Sequence, residues 1–261
     1  MDRLSPLIES LNADGRPRVW SIVITIFGDC VQHRGGHVAT QRLSRLLGRI
    51  GIETGALRTA LSRLSSDGWV QSTRSGRTSS YSLTPRGLED FGPATARIYA
   101  APGGRAREWV FDTREPPRGL RVAGGWLRPG PVANTAQGFR LTGRLAPESA
   151  REIWQALEPG HRAALERLGK DLTALQGFAG PPLDCAAARV LLIHRWRRLI
   201  LLWPEVPPGV LPEDIPAGDL HSAVAAAYAR LTPDAEAWLD SGDADMPALP
   251  APAPGSRTRF A

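Results

Sequence analysis

Arg58, Thr59, Ser62 and Arg63 are the side chains whose types and spacing best suit chemistry. Spaced this way within a helix running from about Thr54 to Ser66, they share the side opposite Leu57, Ala60, Leu61 and Leu64. A guanidinium can fork onto guanine O6 and N7 or onto phosphate oxygens, and hydroxyls reach base edges or phosphates. The chemistry implied is recognition of duplex DNA, with Thr54 at the start of the same helix as a further contact. A solvated polar face is the ordinary fate of an amphipathic helix, so the flanking sequence must decide. Downstream, Arg74-Ser75-Gly76-Arg77 is a polar turn between two alternating runs. Arginines at such a tip suit the phosphate backbone or the minor groove. Upstream, Arg42 and Arg45 lie off the apolar stripe of a preceding helix and join the candidate DNA contacts.

The elements that must hold these groups are legible in order. Leu43, Leu46, Leu47 and Ile50 give a helix from Thr40, with Thr40 in the N-cap position and Gly51 as the break. Asp67-Gly68 ends the next helix, and Val70–Thr73 and Tyr81–Leu83 alternate as strands. Thr84-Pro85 restarts a helix with Leu88, Phe91 and Ile98 on its apolar side. Helix, tight turn, helix and basic hairpin are the outline of a winged helix-turn-helix. The run from Trp20 to Phe27 has the composition of a strand. It is assigned as a helix because the unit needs one more helix to close its core. His33 and His37 are four apart, but Arg34-Gly35-Gly36 between them reads as a turn, so both are placed in a loop.

The stretch Ile26-Phe27-Gly28-Asp29, then Arg34-Gly35-Gly36, Leu57 to Leu64 and Asp67-Gly68-Trp69 resembles the PaaX-like family of bacterial transcriptional repressors. Tyr81 to Gly87 extends the likeness. So does His194-Arg195-Trp196-Arg197-Arg198 with Pro204, Pro207 and Leu211-Pro212. The resemblance covers roughly residues 20 to 240 with a weak middle. It implies an α+β protein in three parts: a winged helix-turn-helix, a small ferredoxin-like (Cas2-like) middle domain and a helical C-terminal domain. It also implies a repressor in the control of phenylacetate catabolism, released from DNA by an aryl-CoA thioester. The parts fall at residues 1–100, 101–146 and 147–240, with 241–261 as a disordered tail rich in Pro, Ala, Gly and Ser.

The middle part departs from the family pattern. Trp109-Val110-Phe111-Asp112 reads as a strand, but Glu115-Pro116-Pro117-Arg118-Gly119 is too short and proline-rich for the helix that should follow. Val122 to Leu127 reads as the next strand and Gly138 to Leu141 as the last, so this domain is shortened. Asp112 at a strand end raises an alternative, a metal-dependent nuclease, although one carboxylate is few ligands for a metal. A winged-helix module for protein interaction is a further alternative.

Beyond the middle, Ala186 to Leu202 is the strongest helix and Leu220 to Leu231 another. His194, Arg197 and Arg198 share one side of the former. They are candidates for an anion site holding an acyl-CoA effector, or for ionic docking onto the rest of the chain.

Composition agrees with a nucleic-acid partner. Residues 1–100 hold 13 Arg against 8 acids, while the remaining 161 hold 19 basic against 18 acidic residues. The net charge of +6 therefore sits almost wholly on the proposed DNA-binding third. The basic residues are all arginine except Lys170, a bias of composition that cautions against giving each a role. Two lone cysteines, Cys30 and Cys185, form no paired metal motif and read as reduced thiols. No apolar run is long enough to span a membrane, and no secretory signal opens the chain. The expectation is a cytoplasmic, homodimeric repressor that binds a double-stranded operator, has no catalytic motif and needs no cofactor or metal.

Overall fold

The run at Trp20 to Phe27 is helical despite its β-rich composition. Helix α1 (Ser5–Asn12) precedes α2 (Val19–Ile26), in which every residue from Ser21 to Ile26 is buried. A helix apolar all round needs cover all round. A π-helical turn, Phe27–Val31, continues α2 and is buried throughout. The structure is a computed structural model; it describes residues 2–13, 15, 17–75, 78–102, 108–131, 138–207, 209–211, 219–253 and 259–261.

Strand β1 (His37–Ala39) leads into α3 (Thr40–Arg49), and Gly51 at φ +81° turns the chain toward α4 (Thr54–Ser66). Gly68, at φ +73°, ends α4, and the Trp69 amide donates to the Leu64 carbonyl at 2.8 Å. Strands β2 (Val70–Ser75) and β3 (Thr78–Leu83) form the expected hairpin. Strand β1 was not anticipated. It pairs antiparallel with β3, His37 opposite Ser82, giving a sheet in the order β1-β3-β2. His37 therefore belongs to a strand and not to a loop. Thr40 does not cap α3; its hydroxyl donates to the Ser79 carbonyl at 2.9 Å. Thr84 does cap α5 (Pro85–Ile98), accepting from the Gly87 amide at 3.0 Å.

Next comes a four-stranded antiparallel sheet of β4 (Trp109–Asp112), β5 (Leu120–Val122), β6 (Gly125–Pro129) and β7 (Arg140–Gly143). Their order is β5-β6-β4-β7. The single strand expected over Val122 to Leu127 is in fact two. Ala123 and Gly124 both take positive φ, at 47° and 78°, and fold it into a tight hairpin. The last strand begins at Arg140, two residues beyond the expected Gly138. Among the described residues no helix lies between β4 and β7.

Helices α6 (Ser149–Ala156), α7 (Pro159–Ala174), α8 (Pro182–Leu202) and α9 (Leu220–Asp240) complete the chain. Helix α9 runs nine residues past the expected end at Leu231 and carries Pro233 inside it. Helix α8 is buried without a break from Cys185 to His194. It packs on α9 and α7, and also on α2, α3 and α5, so one apolar core spans the N-terminal unit and the later helices. No described helix is long and apolar enough to cross a membrane.

The reading of 241–261 as a disordered tail is corrected for residues 241–253 and 259–261; residues 254–258 lie outside the described ones. Among the described tail residues, the Leu249 amide donates to Leu239 O at 3.0 Å and that of Ala253 to His33 O at 2.7 Å. Met246, Leu249 and Phe260 are buried. Scattered apolar residues anchor a segment whose average composition is that of a loop.

Two glycines test the packing. A Cβ on Gly87 would lie 2.5 Å from the Trp69 carbonyl oxygen, while one on Gly48 in α3 meets nothing within 4 Å. Gly87→Ala should cost about 1–3 kcal/mol by overpacking, and Gly48→Ala should add about 0.5–1 kcal/mol by helix propensity. Urea midpoints that move in the same direction for both variants would contradict this packing.

Candidate nucleic-acid interface

Helix α4 divides as its sequence implies. Leu57, Ala60, Leu61 and Leu64 are buried, while Thr54, Arg58, Thr59, Ser62 and Arg63 are exposed. Arg58 has no hydrogen-bond or ion-pair partner among the described residues, so its guanidinium is open to a ligand. Arg63 is steered from two sides. Its guanidinium lies 5.7 Å from the centre of the Trp20 ring, and its Nε is 3.6 Å from the Asp67 carboxylate. The Thr59 hydroxyl donates to Gly55 O at 3.1 Å, and the Thr54 and Ser44 hydroxyls lie 3.2 Å apart. The Ser44 side of α3 thus adjoins the N-terminus of α4. On the hairpin, Gln71 to Arg74 are exposed, with Arg74 opposite Ser79. Arg77 lies outside the described residues.

Arg42 is a correction. It is 2% exposed and its guanidinium donates to the carbonyls of Trp238 at 2.8 Å, Ser241 and Pro247 at 3.0 Å, stacked over the Trp238 ring. It caps the end of α9 and is closed to DNA. Arg45 remains at the surface but pairs with Asp243 at 2.8 Å.

The proposed effector cluster does not converge. His194 is buried, and its Nδ1 lies 3.0 Å from the Thr25 hydroxyl on α2. Burial, with Arg197, Arg198 and Arg195 nearby, pushes its pKa down to about 3. It is therefore neutral and offers an anion no charge. Arg197 donates to the Ser21 hydroxyl at 2.8 Å, and Arg198 points to solvent. Two of the three thus fasten α8 to α2 through hydroxyls, not through the acidic partners weighed from sequence. Arg195 completes the docking, reaching Asp171 at 2.9 Å and the Ser10 hydroxyl at 2.8 Å.

Asp112 is likewise committed. Arg128 and Arg140, on the two flanking strands, each reach its carboxylate at 2.8 Å. Burial alone would raise its pKa, but the two guanidinium groups hold it below the usual carboxylate range. A carboxylate so occupied is no metal ligand, and no group of three or more potential ligands exists among the described residues. The one carboxylate on which the nuclease alternative rested is thus held by two arginines.

A buried ionic cluster at the end of α2 was not foreseen. Asp29, in the π-helical turn and 0% exposed, receives Arg189 Nε at 2.8 Å, the Tyr99 hydroxyl at 2.9 Å and Arg259 at 3.1 Å. Arg189 also reaches Glu236 at 2.6 Å, and Arg34 pairs with Glu236 and, at 2.8 Å, with Asp240. Burial would raise the Asp29 pKa, but Arg189, Arg259 and Tyr99 hold it below the ordinary range. A signal existed: Asp29 is the only charged residue between Val19 and Gln32. A charge inside an apolar helix must have a partner.

Two outcomes follow from this wiring. Asp29→Asn leaves guanidinium groups buried without their counter-charge and should cost about 3–5 kcal/mol in denaturant unfolding; an unchanged midpoint would refute the role given to Asp29. His194, with His33 and His161 at about 4, titrates below the ordinary 6.5, so each is neutral in the fold and gains a proton on unfolding. Their stabilisation is complete above pH 6.5 and drains as pH falls toward the folded values. The melting temperature should therefore drop between pH 6.5 and about 4.5, less steeply in His194→Gln. Equal slopes in the two proteins would contradict a neutral buried His194.

Comparison with known proteins places this geometry in a family. Residues 18–87 match the PaaX-like protein family, and residues 154–241 match the PaaX-like protein C-terminal domain. A curated relative, the transcriptional repressor PaaX of Escherichia coli (strain K12), is 27% identical over 278 residues, covering 89% of this chain and 86% of the relative. The two matched segments together take in more than half of the sequence and include α2 to α4, the hairpin, α8 and α9. The chain belongs to the PaaX-like protein family.

Proposed function

We propose that this protein represses transcription by binding operator DNA, with residues 19–83 acting as a winged helix-turn-helix. The observation that carries the reading is the outer face of α4, where Arg58, Thr59, Ser62 and Arg63 project from a helix whose other face is locked into the core. In this reading α4 lies in the major groove. Arg58 reads a base edge, and Thr54, Thr59, Ser62 and Arg63 make supporting contacts to bases or phosphates. Arg74 and Arg77 on the hairpin grip the flanking backbone, and Arg45 reaches a phosphate beside the N-terminus of α4. The repressor named among its relatives supports this role.

The middle sheet supports a second part of the reading. Its strands, in chain order, are arranged fourth, first, third, second, with all neighbours antiparallel. That is the arrangement of a ferredoxin-like sheet, and we read this domain as one that has lost its covering helices. The protein acts as a homodimer in the cytoplasm, because one helix and one hairpin contact too few base pairs and a palindrome of two half-sites supplies the rest. An acyl-CoA thioester, an aryl-CoA by family likeness, is the effector that releases DNA in phenylacetate catabolism. The buried His194 is excluded from holding it.

Gel shifts with promoter fragments and competitor duplex test the DNA reading. Arg58→Ala should lose about 1–3 kcal/mol of preference for the correct base at its position. Arg74→Ala should weaken binding to every sequence alike and reduce the salt slope by about 1. Wild-type binding by both variants would remove α4 and the hairpin from the interface. A thermal-shift series with acyl-CoA thioesters tests the effector, since a ligand at 100 times its dissociation constant adds about 2.7 kcal/mol.

A further inference from the structure

The C-terminal segment lies across the helix that precedes α4. Past α9, Asp243 takes the Arg45 guanidinium at 2.8 Å, with Asp240 and Asp245 close by in sequence. Arg45 directly follows Ser44, whose hydroxyl is 3.2 Å from that of Thr54 at the start of α4. The Pro250 carbonyl then accepts from Arg34 at 3.0 Å, and the Ala253 amide donates to His33 O at 2.7 Å. Farther on, Arg259 enters the ionic cluster, donating to Gly28 O at 2.8 Å and Asp29 O at 2.6 Å. The Phe260 ring closes an aromatic box, 5.4 Å from Tyr99, 5.3 Å from Tyr228 and 5.9 Å from His221. The segment is thus anchored in the core at its far end and spends an acidic side chain on a surface arginine at its near end.

We propose that residues 241–253, held by Arg259 and Phe260, are an autoinhibitory strap that weakens the grip on DNA. This rests on the DNA-binding reading above. With the strap docked, Arg45 is neutralised by the Asp243 carboxylate, which stands at the surface of α3, the helix that abuts the start of α4, and repels phosphates there. With it released, Arg45 is free to neutralise one more phosphate. The Arg45–Asp243 pair is 41% and 44% exposed, so it adds little to stability, and its effect falls on the polyanion. The anchors hold the segment in place: Phe260 is 9% exposed, and its amide donates to Tyr99 O at 3.0 Å.

Binding of a short random-sequence duplex, measured by anisotropy across a salt series with the full chain, decides the matter. Asp243→Asn removes the charge but keeps the Oδ1 that accepts from the Asp245 and Met246 amides at 3.0 and 2.8 Å. It should bind about threefold tighter at low salt, with a log–log slope steeper by about 0.9, the increment of one phosphate contact. Phe260→Ala, which empties the aromatic box and loosens the strap, should bind about tenfold tighter, again with a steeper slope. The proposal is overturned if Asp243→Asn shows wild-type affinity and slope, or binds more weakly, and this variant decides alone should Phe260→Ala fold poorly. A wild-type chain that binds no duplex at any salt concentration overturns the DNA reading together with the strap, a result distinct from equal binding by wild type and variant.

Discussion

The arrangement of this protein turns on one carboxylate, that of Asp29. It sits in a π-helical turn at the end of an apolar helix and is fully buried. Around it Arg34, Arg189 and Arg259 meet Asp29, Glu236 and Asp240, so the cluster balances three cations against three anions. A balanced cluster of this kind adds little net stability over an apolar core of the same shape. Its value lies in register, because a displaced partner leaves a charge buried alone. The cluster joins α2, the turn before β1, α8, α9 and the end of the chain in one geometry. The face of α4 is held by α2, and α2 is held by this cluster and by α8. The π-helical turn is the local device, since one extra residue in the turn re-aims the side chains that follow it.

The parts legible in the sequence are those in which a single partner covers an element. Helix α4 shows a clean split between Leu57, Leu61 and Leu64 on one side and Arg58, Ser62 and Arg63 on the other, because those polar side chains are exposed and, among the described residues, touch another element only where Arg63 meets the Trp20 ring. The paired strands of the hairpin and the Thr84 cap are signalled by local chemistry and need no distant contact. Legibility fails where a second partner arrives from far along the chain. Arg42 lies off the apolar stripe of α3, yet the end of α9, some 196 residues away, wraps it in carbonyls. Strand β1 is only three residues long and exists because β3 offers it an edge. The tail reads as disordered because its anchors, Met246, Leu249 and Phe260, are spread too thinly to make a periodic pattern. His194 and Arg197 share a helical face as their spacing implies, but spacing is silent on whether that face meets water or α2.

The middle sheet is held largely by arginines. Asp112 on the central β4 is clasped by Arg128 on β6 and Arg140 on β7, a cross-strand ionic bridge in place of part of a core. Arg118, in the short segment between β4 and β5, donates to the Ile200, Leu201 and Trp203 carbonyls and so pins the sheet to the end of α8. Arg97 of α5 donates to the Ile200 carbonyl as well. These carbonyls are among the last of α8, which the helix cannot satisfy itself, and arginines from two other parts of the chain do so.

The uninterrupted burial of α8 has a consequence for how such a chain can change over generations. A piece ending near residue 100 would bare the flanks of α2, α3 and α5 that α8 covers. The N-terminal unit is therefore not a separable module, as a bead on a string would be. A chain cut at that seam would expose apolar surface on both sides, which ties changes in α2, α3 and α5 to changes in the helix that covers them.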